Sequence, residues 1–383
     1  MKRHLLYITG ILFIVLSGSC VKDSLKDLPE PAGEGEALPI KMVLYLPMES
    51  GTRSISVADE SDISRVDVLA FAKGSDGVFR YAYTAPQQSR DESDLPQVEI
   101  VVEARSHNRE QIFMVLGNAT AGMVNAITLN MTLAAAQSKL VLVQSNEWNA
   151  ASSSDFSRLP MYAQTTAQTI IPSMGSIGTY DWLRMHARID IKLKSGLSNF
   201  VITEAHLFNR NNSGNLATDF TNAGIWDASG RKVLQTNIPS GVVRQYLPSY
   251  YNISSDYYAN TPYKATGSGA SAAITRSIYT FEALGVTETD KLLATAVVVG
   301  GKYNGSPTTT YYRIDIKTTS TALGYVSQDI LRNHLYDIEI QSVVGPGADN
   351  PEDAFIGGAR MELTTTITVW NSVNISSGIV GPI

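Results

Sequence analysis

The sequence predicts a mainly β protein with two β-sandwich-like domains and one or two short helices in the N-terminal domain. Several runs alternate apolar and polar side chains with a period of two, which is typical of strands with one buried face. The chain has 383 residues, more than one hydrophobic core normally accommodates. It contains 29 Gly and 18 Tyr but only 17% charged residues, a composition typical of extracellular β-rich proteins.

The first residues indicate export. Lys2 and Arg3 precede an apolar stretch, residues 5–16, that is shorter than the ~20 residues of a membrane-spanning helix. Small residues then lead to Cys20, the single cysteine of the chain. We therefore predict a lipoprotein signal peptide over residues 1–19 and lipid attachment at Cys20. The alternative is an ordinary secretory signal followed by a chance cysteine.

Residues 20–37 are polar and rich in Pro, Gly and Glu, which predicts a flexible tether. Within the tether, Asp23-Ser24-Leu25 resembles a bacterial O-glycosylation site, but patterns of three residues are common and this one leaves the modification open. A single cysteine forms no disulfide within one chain, so the folded body must be stabilised by hydrophobic burial.

The first predicted strand starts at Leu38. Its apolar residues Ile40, Met42, Leu44 and Leu46 alternate with residues of the opposite face, so one face is expected to be buried. We predict further strands over residues 65–72, 78–83, 97–104 and 111–117. The last of these is apolar throughout, as in a central strand that is covered on both faces. Residues 123–140 carry Ala, Leu, Met, Gln and Lys at helical spacing and predict one helix.

The predicted boundary between the domains falls within a strand-like run over residues 183–193, giving an N-terminal domain 38–188 and a C-terminal domain 189–370. A polar region of about 60 residues follows Phe208 and has the composition of a loop. Residues 293–303 and 310–317 predict a hairpin that turns at Asn304-Gly305. The other strands predicted in this domain are 200–208, 277–283, 335–344 and 361–370.

The motifs of common catalytic sites are missing from the sequence. There is no G-x-S-x-G, H-x-H or H-E-x-x-H pattern. We interpret His186 and His206, which alternate with apolar neighbours, as strand histidines that face solvent or are satisfied in a core. The sequence therefore predicts no enzyme activity, no catalytic residue, no bound cofactor and no metal site.

Charge gives two further indications. The net charge of −6 is spread without a basic cluster, which argues against nucleic acid as a partner. Acidic clusters lie at residues 59–62 and 349–353, but neither has the register of a calcium-binding loop, so calcium binding stays open. Tyrosines such as Tyr250 and Tyr251 fit either a sugar-binding face or an ordinary polar loop.

Several stretches of the chain form one recognisable order. Cys20 and its tether precede the first strand, and then come Thr52-Arg53, an Asp-Glu-Ser sequence at 59–61 and the second strand. Later stretches read RMHARI at 184–189, ILRNHLY at 330–336, GPG at 345–347 and VWN at 369–371. Together they resemble the fimbrillin family, the subunits of type V pili of Bacteroidales-type bacteria.

The resemblance implies two transthyretin-like β-sandwiches and a defined processing route. A lipoprotein precursor would reach the outer membrane, where an Arg-specific protease would cut the bond between Arg53 and Ser54. The cut would release the first strand, with Ile40, Met42, Leu44 and Leu46, and leave a groove. The C-terminal tail of another copy or of a related pilus subunit would fill this groove in an extracellular fimbria. Arg65 is a second candidate, but it starts a predicted strand, and exposed loops are cut preferentially.

In that scheme the donor tail is residues 371–383. Its aliphatic residues are candidates to fill the groove, although Gly378 and Gly381-Pro382 interrupt their alternation and leave the register open. The alternative is a frayed terminus without a role. The candidate donor residues are Val373, Ile375, Ile379, Val380 and Ile383.

Three functions are compatible with the sequence. The first is a polymerising shaft subunit. The second is a tip or accessory adhesin of the same pilus, which would share the cleavage loop. The third is a stationary surface lipoprotein that binds glycans; it would be neither cleaved nor assembled. A glycan or a protein on a host or bacterial surface is a candidate receptor, and the sequence does not identify it.

Overall fold

The computed structural model of the protein describes residues 35–46, 62–143, 158–211, 213–217, 262–283, 294–316, 330, 332–357 and 361–369. These residues form mainly β structure in several sheets, as predicted. No helix in these ranges combines the length and the apolar character needed to cross a membrane.

The first sandwich consists of two sheets. One has the strand order β10-β1-β5-β4, and the other has the order β11-β8-β6-β2-β3, with β9 also paired to β6. The elements of this part of the chain are β1 (Ala37–Tyr45), β2 (Val66–Lys73), β3 (Phe79–Thr84), β4 (Gln87–Asp91), β5 (Gln97–Arg105), β6 (Glu110–Gly117), α1 (Ala121–Asn125), α2 (Leu133–Lys139), β7 (Val141–Val143), β8 (Met161–Gln164), β9 (Gln168–Thr169), β10 (Ser176–Asp181) and β11 (Leu183–Arg184).

The second sandwich has sheets of order β16-β12-β19-β20 and β15-β13-β17-β18, and a short ladder joins β14 to β7 of the first half. Its elements are β12 (Ala187–Leu193), β13 (Phe200–Phe208), β14 (Ser213–Asn215), β15 (Tyr263–Lys264), a 3-10 turn (Gly269–Ser271), β16 (Ile274–Thr280), β17 (Ala296–Tyr303), β18 (Thr309–Asp315), β19 (His334–Val343), α3 (Pro351–Gly357) and β20 (Met361–Val369).

The two sandwiches share one topology. Strands β1, β2, β3, β5, β6, β8 and β10 correspond, in order, pairing and direction, to β12, β13, β15, β16, β17, β18 and β19. In each sandwich the first strand lies between an antiparallel neighbour and a parallel one. The additions differ, because β4 extends the first sandwich beside β5 and β20 extends the second beside β19.

Each sandwich has its own hydrophobic core. In the first, the inward residues of β1 and β5 pack against β2, β6 and β8. Strand β6 is also covered on its outer face by α1, α2 and residues of the second half, which confirms that it is buried on both faces. In the second, β12, β16 and β19 face β13, β17 and β18 across the core.

The prediction of one helix over residues 123–140 was wrong. The structure has two short helices, α1 and α2, and the chain between them takes a positive φ of 66° at Asn130. Each helix starts at a threonine, Thr120 or Thr132, whose hydroxyl accepts a hydrogen bond from a backbone N–H of the first turn. Two short helices agree with the number expected for the N-terminal domain.

The prediction of one strand over residues 183–193 was also wrong. Strand β11 pairs with β8 of the first sandwich and β12 pairs with β16 and β19 of the second, so the chain changes sheets at Met185 and His186.

The hairpin prediction is confirmed, since β17 pairs with β18 and the turn residues Asn304 and Gly305 have φ values of 50° and 76°. Strand β10 and helix α3 were not predicted.

Candidate functional site

Strand β1, the predicted exchangeable strand, lies in the interior of its sheet. It pairs antiparallel with β5 over nine residue pairs, from Ala37 with Arg105 to Tyr45 with Gln97. On its other side it pairs in parallel with β10, from Lys41 with Ser176 to Tyr45 with Asp181. We call the position of β1 between β5 and β10 the first-strand slot. Removing β1 would therefore leave unpaired backbone groups on two strands at once.

The backbone of β1 divides its hydrogen bonds between the two walls of the slot. Leu46 donates its N–H to Pro96 at 2.8 Å on the β5 side, and Lys41 donates to Gly175 at 3.1 Å on the β10 side. Because successive residues of a strand point their backbone groups to opposite sides, even-numbered residues face β5 and odd-numbered residues face β10. Pro39 has no N–H to donate, but the ladder with β10 starts only at Lys41, so Pro39 removes no bond from it.

The inward side chains of β1 and of Leu46, which follows it, are almost completely buried. Ile40, Met42, Leu44 and Leu46 have no exposed surface, and Leu38 is 8% exposed. Their burial confirms the alternation read from the sequence. The residues packed in the same core include Val98, Ile100, Val102, Val68, Phe113 and Trp182.

The outer face of β1 is polar and only partly buried. Lys41 forms an ion pair with Glu99 of β5, and both side chains are about two-fifths exposed (42% and 41%). Ion pairs of this exposure contribute little to stability because solvent screens them. The first-strand slot is thus held by its backbone ladders and its inward apolar row rather than by surface charge.

Trp182 closes one end of the slot. Its backbone N–H donates to Tyr45 O at 3.0 Å, and its indole Nε1 donates to Val115 O at 3.3 Å. The ring is fully buried, and a Cβ placed at Gly117 would lie 3.4 Å from it. The tryptophan therefore fixes the C-terminal end of β1 against the facing sheet.

The predicted cleavage site, Arg53 and Ser54, lies outside the described residues, between Leu46 and Asp62. So do the predicted lipidation site Cys20 and the predicted donor residues Val373, Ile375, Ile379, Val380 and Ile383. What the structure fixes is connectivity: Arg53 lies on the segment that joins β1 to β2. One cut in this segment separates β1 from every later strand.

Two of the stretches behind the fimbrillin resemblance, 184–189 and 330–336, lie side by side. Asn333 donates its backbone N–H to His186 O at 2.9 Å, and its side-chain oxygen accepts from the Arg184 N–H at 3.4 Å. Beyond this point β12 and β19 run in parallel from Arg188 paired with Leu335. The two stretches thus meet where the chain passes from one sandwich to the other, and we call this region the junction.

Arg332 is the central buried charge of the junction. Its guanidinium donates to the Glu282 carboxylate at 2.8 Å and to Leu216 O at 2.8 Å, and it also donates to Asn215 O. Arg332 has no exposed surface and Glu282 is 7% exposed. Leu216 in turn donates its N–H to Leu140 O at 2.7 Å, so Arg332 braces the contact between the two sandwiches. This role was not predicted from the sequence, although an arginine directly after the apolar pair Ile330-Leu331 was a signal for it.

The chain is similar to solved fimbrial and cell adhesion proteins. The tip fimbrial protein Mfa3 from Porphyromonas gingivalis, with a C-terminal truncation, is 12% identical with a TM-score of 0.48, covering 87% of this chain and all of that one. A putative cell adhesion protein from Parabacteroides distasonis is 15% identical with a TM-score of 0.49, covering 88% of this chain and all of that one. A fimbrial assembly protein from Parabacteroides distasonis is 12% identical with a TM-score of 0.42, covering 86% of this chain and 99% of that one. The sequence matches no protein-family model and no curated protein.

The histidines considered in the sequence analysis are both buried. His186 stacks on Phe281 with ring centroids 4.6 Å apart, and burial, together with the charge of Arg332, lowers its pKa to about 3. His206 lies 3.5 Å from Glu204, and burial lowers its pKa despite that carboxylate. Both side chains are thus buried and not exposed to solvent, but only His206 lies in a strand, β13, because His186 falls between β11 and β12. Among the residues that the structure describes, no three His, Cys, Asp or Glu side chains group as metal ligands would.

Proposed function

We propose that this chain is a structural subunit of a cell-surface fimbria that assembles by strand exchange. Cleavage after Arg53 would free β1, and residues 371–383 of another copy or of a related pilus subunit would take its place. The observation that carries the proposal is the position of β1, which is interior to its sheet yet connected to the later strands through one segment.

The free energy of burial supports replacement of β1 rather than simple loss. Five buried aliphatic side chains at ~1.5–3 kcal/mol each contribute roughly 7–15 kcal/mol. This is comparable to the whole stability of a typical domain, about 5–15 kcal/mol. A sandwich without β1 would therefore be a strong acceptor for any strand that restores both the backbone ladders and the apolar row.

Covalent connection explains why cleavage would be needed. While β1 is attached, its effective concentration at the slot is roughly millimolar or higher, so a donor from another molecule cannot compete. After the cut, β1 is an ordinary ligand that dissociates and dilutes. The donor tail supplies five aliphatic residues within residues 371–383, which matches the apolar character of the slot.

The remaining steps of the proposal are inferred from the predicted export signal and from Cys20. The precursor would be held at the outer membrane through a lipid on Cys20 and would lose that lipid with residues 20–53. The released subunit would then join an extracellular fimbria that supports adhesion to a host or bacterial surface. This role is structural and requires no catalytic group.

The test uses the lipid-free precursor, residues 21–383, treated briefly with trypsin. Mass spectrometry should find cleavage at Arg53, and an unboiled SDS gel should then show a ladder of multimers. Two variants serve as controls. Arg53→Ala should remain uncleaved between β1 and β2 and stay monomeric, and deletion of residues 371–383 should permit cleavage but abolish the ladder.

The other outcomes separate the alternatives. Clean cleavage at Arg53 without multimers, in the lipid-free precursor that keeps its tail, would indicate a tip or accessory subunit that needs a different partner. An Arg53 that resists protease, in a chain that stays monomeric, would contradict the fimbrial proposal. In that case a screen for glycan binding would test the function of a stationary surface lipoprotein.

A further inference from the structure

The four residues that lead into β2, Asp62 to Arg65, are held against the first sandwich. They follow the segment that carries the predicted cleavage site and directly precede the strand. Ile63 is 1% exposed and packs in the core of this sandwich. The carboxylate of Asp62 pairs with Arg158 at 2.5 Å. This stretch, which we call the β2 lead-in, is therefore anchored before the strand begins.

Asn118, the residue after β6, forms hydrogen bonds with three of these four residues. Its backbone N–H donates to Arg65 O at 2.8 Å. Its side-chain Oδ1 accepts from the Ser64 N–H at 2.9 Å and from the Ser64 hydroxyl at 3.3 Å. Its Nδ2 donates to Asp62 O at 2.8 Å and to Leu159 O at 3.2 Å. One side chain thus connects the β2 lead-in to the end of β6 and to a third stretch of the chain.

The backbone conformation at Asn118 is one that few residue types adopt. Its φ is 54°, in the left-handed region where Asn is found more often than most other residues. Strand β6 pairs with β2 up to Gly117 opposite Val66, and the bond from Asn118 to Arg65 O extends that ladder by one residue. Asn therefore suits both the backbone conformation and the two kinds of contact, because its amide carries a donor and an acceptor.

These contacts engage the groups that a protease would need at the Arg65–Val66 bond. The Arg65 carbonyl is bonded to Asn118, and the guanidinium donates to both carboxylate oxygens of Asp67, at 2.6 and 2.9 Å. The Arg65 side chain is 41% exposed, so solvent screens this ion pair and the pair alone would protect the bond little. After the bond, β2 lies between β3 and β6 in its sheet. Cleavage here therefore requires the β2 lead-in to detach first.

The position of the cut decides whether Ile63 stays with the later strands. A cut at Arg53 leaves Ile63 on the part of the chain that carries β2, whereas a cut at Arg65 would remove it together with β1. Ile63 belongs to the same core as the inward row of β1. Its loss would leave a cavity that a strand replacing β1 does not fill, and such cavities are destabilising.

We propose that Asn118 holds the β2 lead-in against the sandwich and thereby protects the Arg65–Val66 bond from arginine-specific cleavage. The sequence between β1 and β2 contains one other arginine, Arg53, so cleavage in this part of the chain is confined to it. Asn118 is thus a positioning residue that selects the cleavage site. Its role in processing rests on the proposed cleavage after Arg53, whereas the protection of Arg65 can be measured without that cleavage.

The test uses the lipid-free precursor with Arg53→Ala, so that Arg65 is the only arginine between β1 and β2. An arginine-specific endoproteinase is the probe, and mass spectrometry measures the initial rate of the Arg65–Val66 cut. Adding Asn118→Gly keeps the positive φ accessible but removes the side chain. It should speed this cut by about tenfold or more, because the lost hydrogen bonds had limited the detached population. Asn130→Gly is the matched control, since Asn130 also has a positive φ, 66°, but lies between α1 and α2, and the rate should stay unchanged.

The Arg80–Tyr81 bond in β3 serves as an internal reference for general loss of structure. A faster initial cut at Arg65 with the Arg80 bond still intact would support the role of Asn118. Equal acceleration of both cuts would mean that Asn118→Gly merely destabilises the sandwich, and this would overturn the inference. Rapid cutting at Arg65 while the Asn118 side chain is present would overturn it too. If Arg53 resists the protease in the natural sequence while Arg65 is protected only when Asn118 is present, the inference holds and the proposed processing fails.

Discussion

Strands β1 and β12 occupy the same position in their two sandwiches, yet only β1 can be separated from all later strands by a single cut. Each lies between an antiparallel and a parallel neighbour, and each buries a row of aliphatic side chains. They differ in connection. One cut after Arg53 separates β1 from all later strands, whereas β12 continues from β11 through the junction and would need a cut on either side.

The comparison also extends to charge. Strand β12 carries the ion pair of Arg188 with Asp190, with N–O contact at 2.8 Å and both side chains almost fully buried. On β1, by contrast, the pair of Lys41 with Glu99 lies at the surface. Burial of the aliphatic rows is therefore similar in the two strands. The two strands differ in covalent connection and in the absence of a buried ion pair among the described contacts of β1.

The largest effect is expected at the junction, where replacing Arg332 should break the brace between the sandwiches. Arg332→Met leaves the buried Glu282 carboxylate without its partner, and losses of about 3–5 kcal/mol are typical when one member of a buried pair is removed. Urea unfolding of the lipid-free precursor measures this loss. The double variant Arg332→Met with Glu282→Leu should recover much of it, whereas equal loss in both variants would contradict the attribution of the loss to the unpaired Glu282 carboxylate.

The second prediction compares the two first strands before and after assembly. Met42→Ala in β1 and Ile189→Ala in β12 should each destabilise the precursor by about 2–5 kcal/mol, because each opens a cavity in a core. In assembled multimers Met42→Ala should have no effect, since β1 has left, and Ile189→Ala should still destabilise. Thermal dissociation of the multimers provides the measurement. A persistent effect of Met42→Ala would mean that β1 stays in the fimbria.

The third prediction concerns pH and the junction. The pKa of His186 is about 3 in the folded protein, below its unfolded value of about 6.5. Below pH 6.5 the unfolded state therefore binds a proton that the folded state does not, and this lowers the free energy of unfolding as the pH falls toward 3. The slope is at most about 1.4 kcal/mol per pH unit. Urea unfolding at pH 7 and 5 should show a smaller pH dependence for His186→Phe than for the wild type; equal dependence would contradict the buried neutral histidine.

The smallest effect is expected on the outer face of β1. Lys41→Ala should change the stability of the precursor by only about 0.2–1 kcal/mol, because its partner Glu99 is also exposed to solvent. Arg188→Ala in β12 is the matched variant and should cost more, since it leaves Asp190 buried without its arginine. Comparable urea midpoints for the two variants would remove the contrast between a surface pair and a buried one.

The parts of the fold with strong periodicity were predictable from sequence. The alternation of Ile40, Met42, Leu44 and Leu46 identified β1 and its buried face. The turn residues Asn304-Gly305 identified the hairpin of β17 and β18. Strand β10 was missed because its sequence, SIGTYD, has little apolar alternation and includes Gly178 at a positive φ of 110°. Its strand structure depends on parallel pairing with a distant segment, which local pattern does not encode.

The limits of prediction at the site have the same physical origin. Residues 183–193 read as one strand because apolar and polar residues alternate without a break across both halves, and only tertiary pairing assigns β11 and β12 to different sheets. The first-strand slot lies between β5 and β10, and β10 comes more than a hundred residues after β1 in the sequence. Sequence could therefore predict β1 and its buried face but not β10, the parallel neighbour that forms the other wall of the slot.

A disulfide that locks β1 to β5 tests the central claim most directly. Val43 and Glu99 are paired outward-facing residues at a non-hydrogen-bonded position, where the separation of Cα atoms suits a disulfide. In the lipid-free precursor, which lacks Cys20, V43C with E99C should be cleaved normally at Arg53 yet form no multimers until a reductant is added. V43C alone should assemble without reductant. Multimers that form while β1 is still cross-linked to β5 would contradict exchange of the first strand.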